Sequence, residues 1–140
     1  MPQIESSQTE LSQTDQSQTK PVPFQYSAKI RSVYDGDTCR VDIDLGLGVW
    51  VKNESVRLYG INAPEVRGDE KVAGKISRDA LREWILGKEV MLRTVASSGR
   101  DKKGKYGRYL AEIWAQDESG VWYNVNERLV AEHYAVHKEY

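Results

Sequence analysis

Cysteine is almost missing from this chain. Cys39 is the only one in 140 residues, which excludes an internal disulfide and a cysteine-built zinc site. No apolar run is long enough to span a membrane as a helix, and the N-terminus lacks the pattern of a signal peptide. A soluble, intracellular protein is the default expectation, with secretion open if a leader has been removed. There is no excess of positive charge either: the formal net charge is −1. No overall field therefore draws the chain to nucleic acid, and any basic surface must be local.

Apolar residues are scarce in one segment above all. Ser-Gln-Thr recurs from Ser7, Ser12 and Ser17 with little between the copies to bury. Such a segment cannot offset its ordering entropy, so residues 1–24 are expected to be a disordered tail. Pro21 and Pro23 give a stiff lead-in. Residues 25–140 then suffice for one modest domain.

Within that domain the pattern is strand-like first. Gln25 to Tyr34 reads as a strand, and Asp35-Gly36-Asp37 as a turn. Cys39, Val41, Ile43 and Leu45 alternate with Arg40, Asp42 and Asp44, which predicts a half-buried strand. Val49 to Val51 continues it, Lys52-Asn53-Glu54 is expected to turn, and Val56-Arg57-Leu58 forms a strand end. There Val56 and Leu58 point one way and Arg57 the other.

From Gly74 to Leu86 the period becomes helical, with Ile76, Ala80, Leu81, Trp84 and Ile85 on one face and Gly87 as the stop. Strands are expected over Glu89 to Val95, Tyr109 to Ala115 and Val121 to Tyr123. Asn124 with Glu127 resembles a capping box for a last helix through Val125, Leu129 and His133. Three strands, a helix, further strands and a helix is the order of an OB-fold barrel, an α+β architecture with five strands and two packed helices.

Three clusters carry candidate chemistry. The turn Asp35-Gly36-Asp37-Thr38 is rich in acceptors and suits a hard cation, although a plain hairpin turn would look the same. Arg57, Asn62 and Glu65 leave a strand end whose loop is fixed by Gly60 and Ala63-Pro64. A carboxylate beside a metal can serve as general base for water, and an arginine can hold a phosphate bidentately. A structural ion pair between Arg57 and Glu65 is the plain alternative. Finally, Arg100 to Arg108 holds five cations in nine residues around Tyr106. It is either a solvated loop or a place where a base stacks while lysines follow the backbone. His133 and His137 are four apart, but residue 134 is Tyr and no third ligand is evident, so a zinc role is not favoured. The four tryptophans, Trp50, Trp84, Trp114 and Trp122, are expected in the core or on hairpins.

Together the clusters resemble the staphylococcal (thermonuclease) nuclease family over about residues 27–135. The resemblance rests on Tyr34-Asp35-Gly36-Asp37-Thr38, Val56-Arg57-Leu58 with Ala63-Pro64-Glu65, Asp101, Lys105-Tyr106-Gly107-Arg108, and Asn126-Glu127-Arg128-Leu129-Val130. It implies an OB-fold phosphodiesterase that uses Ca²⁺ to cut DNA and RNA with little sequence preference, leaving 3′-phosphates; a monomer is expected. By that resemblance Asp37, Asn62 and the Ala63 carbonyl would ligate the metal, and Glu65 would act on the attacking water. Arg57 and Arg108 would clamp the phosphoryl group, and Lys105 and Tyr106 would seat the nucleotide.

The chain departs from the family's pattern in two places. Asn62 stands where the family usually has aspartate, so Ca²⁺ would be held with one charge fewer and more weakly. The third helix of some members, and the pocket tyrosines they carry, have no clear counterpart. A non-catalytic nucleic-acid-binding OB module is the alternative reading. A protein-interaction module presented by the tail is a third.

Overall fold

In the computed structural model of the protein, residues 23–95 and 107–140 are described. Most of the expected tail, Asp101 and the candidate residues Lys105 and Tyr106 lie outside the described residues. The rest closes into the expected barrel. Strands β1 (Gln25–Asp35), β2 (Thr38–Gly46) and β3 (Val49–Leu58) form an antiparallel meander. After the short β4 (Ile61–Asn62) and a 3₁₀ turn (Gly68–Glu70) comes helix α1 (Lys71–Ile85). Then follow β5 (Glu89–Thr94), β6 (Tyr109–Gln116), β7 (Trp122–Asn124), α2 (Val125–Ala131) and β8 (Val136–His137). β5 pairs with β1 and with β6, and β6 returns parallel to β3, so five strands close on themselves. The closing pairing covers Val56–Leu58 of β3 and Tyr109–Ala111 of β6.

The interior is aliphatic. Ile30, Val41, Val56, Leu58, Leu92 and Ile113 from the strands meet Leu81 and Ile85 of α1 and Leu129 of α2, all nearly or fully buried. Each such side chain contributes roughly 1.5–3 kcal/mol by leaving water.

Several local expectations are corrected. Lys52 to Glu54 is no turn: β3 runs through it with Asn53 at φ 56°, and the β2–β3 register shifts between Val41 and Ile43. The bulge is held by Asp42, which accepts from the Asn53 amide at 2.8 Å and from Arg31 at 2.9 Å. The Asn53 amide bond, followed by Arg31, holds the Asp42 carboxyl below its ordinary pKa. The alternation along β2 therefore fails in two places: Asp42 is buried, whereas Leu45 is exposed.

Helix α1 begins at Lys71, not Gly74, and its buried line is Gly74, Ser77, Leu81 and Ile85, with Ile76 turned to solvent. Helix α2 stops at Ala131, and His133 is left-handed at φ 67° in the turn beyond it. His137 lies on β8, so the two histidines do not share a helical face. Asn124 caps α2 as expected, accepting from the Glu127 amide at 3.1 Å. Trp84 packs edge-on against Tyr123 and Tyr134, while Trp50 and Trp122 lie half-exposed on their hairpins.

Candidate functional site

The site forms where the β1–β2 turn meets the end of β3. Asp35 pairs with Thr38 across a tight connection, and the Asp37 amide donates to the Asp35 carboxylate at 3.0 Å. Gly36 is required by close approach: a Cβ there would lie 2.7 Å from the Ala63 Cβ and 2.8 Å from the Ser77 Cβ. The turn is thus pressed between the segment after β4 and helix α1. Ser77 in turn donates to the Tyr134 carbonyl at 2.6 Å, tying α1 to the chain after α2.

This packing buries two carboxylates side by side. Burial, and after it the charge of Asp37, push the Asp35 carboxyl up to about 7. Asp37 is the better satisfied of the two. Its Oδ2 accepts from the Ala63 amide at 2.8 Å and from Arg57 Nη2 at 3.2 Å, and its Oδ1 accepts from the Thr38 hydroxyl at 3.1 Å.

Arg57 is placed by β3, opposite Thr38. As alternation predicts, its neighbours Val56 and Leu58 enter the core while Arg57 takes the other face, its side chain largely buried in the site. The same Nη2 that reaches Asp37 also donates to Asn62 Oδ1 at 2.6 Å. Its Nη1 is buried and has no hydrogen-bond partner among the described residues. An unmet donor on a charged group costs more than the ~1–3 kcal/mol of a neutral one. A guanidinium left half-paired in this way suits an incoming anion with two oxygens.

Asn62 is held from the far end of the sequence. β4 pairs with β8, the Lys138 amide donates to the Gly60 carbonyl at 2.8 Å, and the Gly60 amide donates to the Tyr140 hydroxyl at 3.1 Å. The Tyr140 ring stacks on Tyr59 at 4.9 Å.

Of the residues named from the sequence, Asp37, Arg57, Asn62 and Ala63 are in direct contact. Glu65 stands apart on an exposed turn, lining a hollow of about 510 Å³ with Asn62 and His133. Its amide donates to Glu70, and its carboxylate has no partner among the described residues. Arg108, just before β6, lines a second groove, which it shares with Thr38.

The oxygens of Asp37 and Asn62 converge on one point, taken by Arg57 Nη2. An all-oxygen set of this kind suits a hard cation rather than zinc. It is lean in charge: among the described residues no three acidic, histidine or cysteine side chains gather. A hard divalent ion fits the donors in kind, with Asp37 and Asn62 as side-chain ligands, once Arg57 cedes that point.

Sequence reasoning passed over Gly74, whose Cβ would fall 1.9 Å from the Glu65 carbonyl oxygen, and Asn126, which braces the barrel beneath the site. Neither belongs to a motif with a mechanism. Asn126 stood in a matched string, but nothing there marked it as buried.

The chain is similar to several known proteins. A thermonuclease of Staphylococcus intermedius is 34% identical over 92 residues, covering 64% of this chain and 49% of its own length. An uncharacterized protein of Methanocaldococcus jannaschii is 32% identical over 127 residues, covering 79% of this chain and 58% of its own. The chain therefore spans about half the length of the curated relatives it matches. In shape it is similar to the extended Tudor domain TD3 of mouse TDRD1, solved in complex with a MILI peptide containing dimethylarginine. That likeness has a TM-score of 0.59 at 8% identity and covers 85% of this chain and 96% of that one, so it speaks to the fold alone. The profile of the Staphylococcal nuclease homologue family matches residues 55–140, from the end of β3 that carries Arg57 through the last strand. On that extent, more than half of the sequence, the chain belongs to the staphylococcal nuclease homologue family.

Proposed function

We propose that this protein is a metal-dependent phosphodiesterase that cleaves DNA or RNA with little sequence preference. The observation that carries the reading is the Arg57 guanidinium. It is anchored through Nη2 on Asp37 and Asn62, while its buried Nη1 has no partner among the described residues. A phosphoryl oxygen would satisfy that donor, and the hydrogen bond would strengthen as charge builds in the five-coordinate transition state. Glu65 has an exposed carboxylate free to take a proton from an attacking water. Arg108 would approach the phosphate from the neighbouring groove, and Lys105 and Tyr106 would seat the nucleotide. By family analogy the ion is Ca²⁺, held by Asp37, Asn62 and the Ala63 carbonyl in place of Arg57 Nη2, which would turn to the phosphate, and the product ends in a 3′-phosphate. Bound there, the ion would supply Lewis-acid polarisation of a phosphoryl oxygen.

A second reading has its own observation. Asn62 brings no charge, and Arg57 occupies the point where the oxygens meet, which favours a nucleic-acid-binding module without catalysis. One experiment separates the two. Purified protein is incubated with single-stranded DNA in Ca²⁺ and again in EDTA, alongside the Arg57→Ala and Arg108→Ala variants. The enzyme reading expects cleavage that EDTA stops and that each variant lowers at least ~10²-fold, by analogy with removal of an oxyanion donor. Retardation on a gel without cleavage establishes the binding module. Activity like wild type in both variants sinks the phosphate-clamp assignment.

A further inference from the structure

Beside the site lies a groove of about 670 Å³ whose walls include Arg40, Arg67, Arg78, Arg82 and Arg108 and, among the described residues, no carboxylate. Five arginines on one surface are notable in a chain of net charge −1. The groove joins the candidate site through Thr38, whose hydroxyl bonds to Asp37. It runs outward along the β2–β3 pair to Arg40, which lies opposite Ser55, roughly 7 Å further along the strands than the Thr38–Arg57 pair. The segment after Glu65 supplies Arg67 to one wall, and α1 supplies Arg78 and Arg82.

Among the described residues, the charge of Arg40, Arg67, Arg78 and Arg82 is only partly cancelled internally. Arg40 donates to a neutral group, the Asn53 carbonyl, at 2.7 Å. Arg67 has no partner among the described residues. Arg78 and Arg82 share one carboxylate, the exposed Asp79, and Arg82 is fixed by two bonds to the Val33 carbonyl. Tyr34 adds an exposed aromatic ring, half open to solvent, at the same groove. Partly uncancelled arginines that track a channel, with an aromatic face beside them, are what binding of a single-stranded backbone requires.

We propose that this groove binds the single strand of nucleic acid that extends from the scissile phosphate. Arg40, Arg67 and Arg78 contact successive phosphates, and Tyr34 stacks on a base. The proposal rests on the reading that the adjacent site handles nucleic acid, and it makes substrate length, rather than sequence, the quantity this protein senses.

The test is binding without cleavage. Anisotropy of a labelled thymidine trimer and a labelled thymidine dodecamer is measured in EDTA, with salt varied between about 50 and 200 mM. The variants are Arg67→Gln, R67Q/R78Q and, as a control outside the groove that matches the charge change of Arg67→Gln, Lys88→Gln. Wild type should bind the dodecamer much more tightly than the trimer. R67Q/R78Q should weaken dodecamer binding about tenfold or more and lower the slope of log K against log salt by ~1.4, at ~0.7 for each phosphate of a single strand that is no longer neutralised. Arg67→Gln, whose side chain has no internal partner to disturb among the described residues, should give about half that change in slope. An unchanged slope in both arginine variants, or an equal fall in Lys88→Gln, overturns the proposal. Its failure is distinguishable from that of the nuclease reading. Uncut substrate with the slope change intact removes only the enzyme, and intact cleavage with an unchanged slope removes only the groove.

Discussion

At the scale of single residues, Arg57 and Asn62 define a competition. The Asn62 amide oxygen accepts one short bond from Arg57, and the same oxygen is the side-chain donor a divalent ion would need. Asn62→Asp adds a charge that acts on both rivals. Coulomb attraction scales with the charge of the partner, so a divalent ion gains about twice what a guanidinium gains at equal distance. The balance should therefore move toward metal. We expect Asn62→Asp to lower the Ca²⁺ concentration for half-maximal cleavage by about tenfold, equivalent to ~1.4 kcal/mol. Titration of activity against free Ca²⁺ checks it, and an unmoved midpoint would show that charge at this position does not limit the site.

At the scale of elements, helix α1 is positioned by what it lacks. Gly74 lets its backbone lie directly on Glu65, and a Cβ there would sit 1.9 Å from the Glu65 carbonyl oxygen and 2.4 Å from its carbonyl carbon. Backbone cannot step aside as a flexible side chain can. Gly74→Ala should cost ~1–3 kcal/mol through overpacking and displace the turn that carries Glu65, lowering the cleavage rate as well. Urea unfolding followed by tryptophan fluorescence reads the first effect, and an unchanged midpoint would contradict the close approach.

This helix also shows where sequence reading stops. Periodicity identifies a buried face by its apolar side chains, and it found Leu81 and Ile85 correctly. Gly74 and Ser77 bury backbone and a hydroxyl instead, so they left no apolar signal, and Ile76 was drawn inward in their place. The bulge at Asn53 was hidden for a related reason. Lys-Asn-Glu has the composition of a turn, and only the distant carboxylate of Asp42 makes it part of a strand. By contrast, the β1–β2 turn, the face taken by Arg57 and the Gly87 stop were legible because each depends on neighbours within a few residues. The convergence of Asp37, Arg57 and Asn62 could be inferred only through family resemblance, since nothing local states that residues 20 and 25 apart will meet.

At the scale of the molecule, the barrel is closed by the parallel pairing of β3 with β6, and Asn126 braces it from α2. Its Nδ2 donates to the carbonyls of Tyr59 and Ala111 at 2.9 and 3.1 Å, and its Oδ1 accepts from the Ile113 amide at 3.2 Å. The Asn126 side chain is itself buried. Asn126→Ala would strip partners from three main-chain groups, though the Ala111 carbonyl keeps the Tyr59 amide. A cost of ~2–6 kcal/mol is expected, at ~1–3 kcal/mol for each of the two groups left unmet. Chemical denaturation measures it, and a variant as stable as wild type would show that the brace is dispensable.

The stack of Tyr140 on Tyr59 and the pairing of β8 with β4 have a consequence in time as well as in space. Ile61 and His137 are partners separated by most of the domain, so their pairing closes a long loop and is among the slowest kinds to form. During synthesis the strand bearing Asn62 emerges well before the residues that hold it. A ribosome-bound chain that has not yet released residues 136–140 would therefore carry Asp37, Arg57 and Asn62 without the support that fixes Asn62 beside the other two. Assembly of the site thus waits on β8, the last of the described elements to be synthesised.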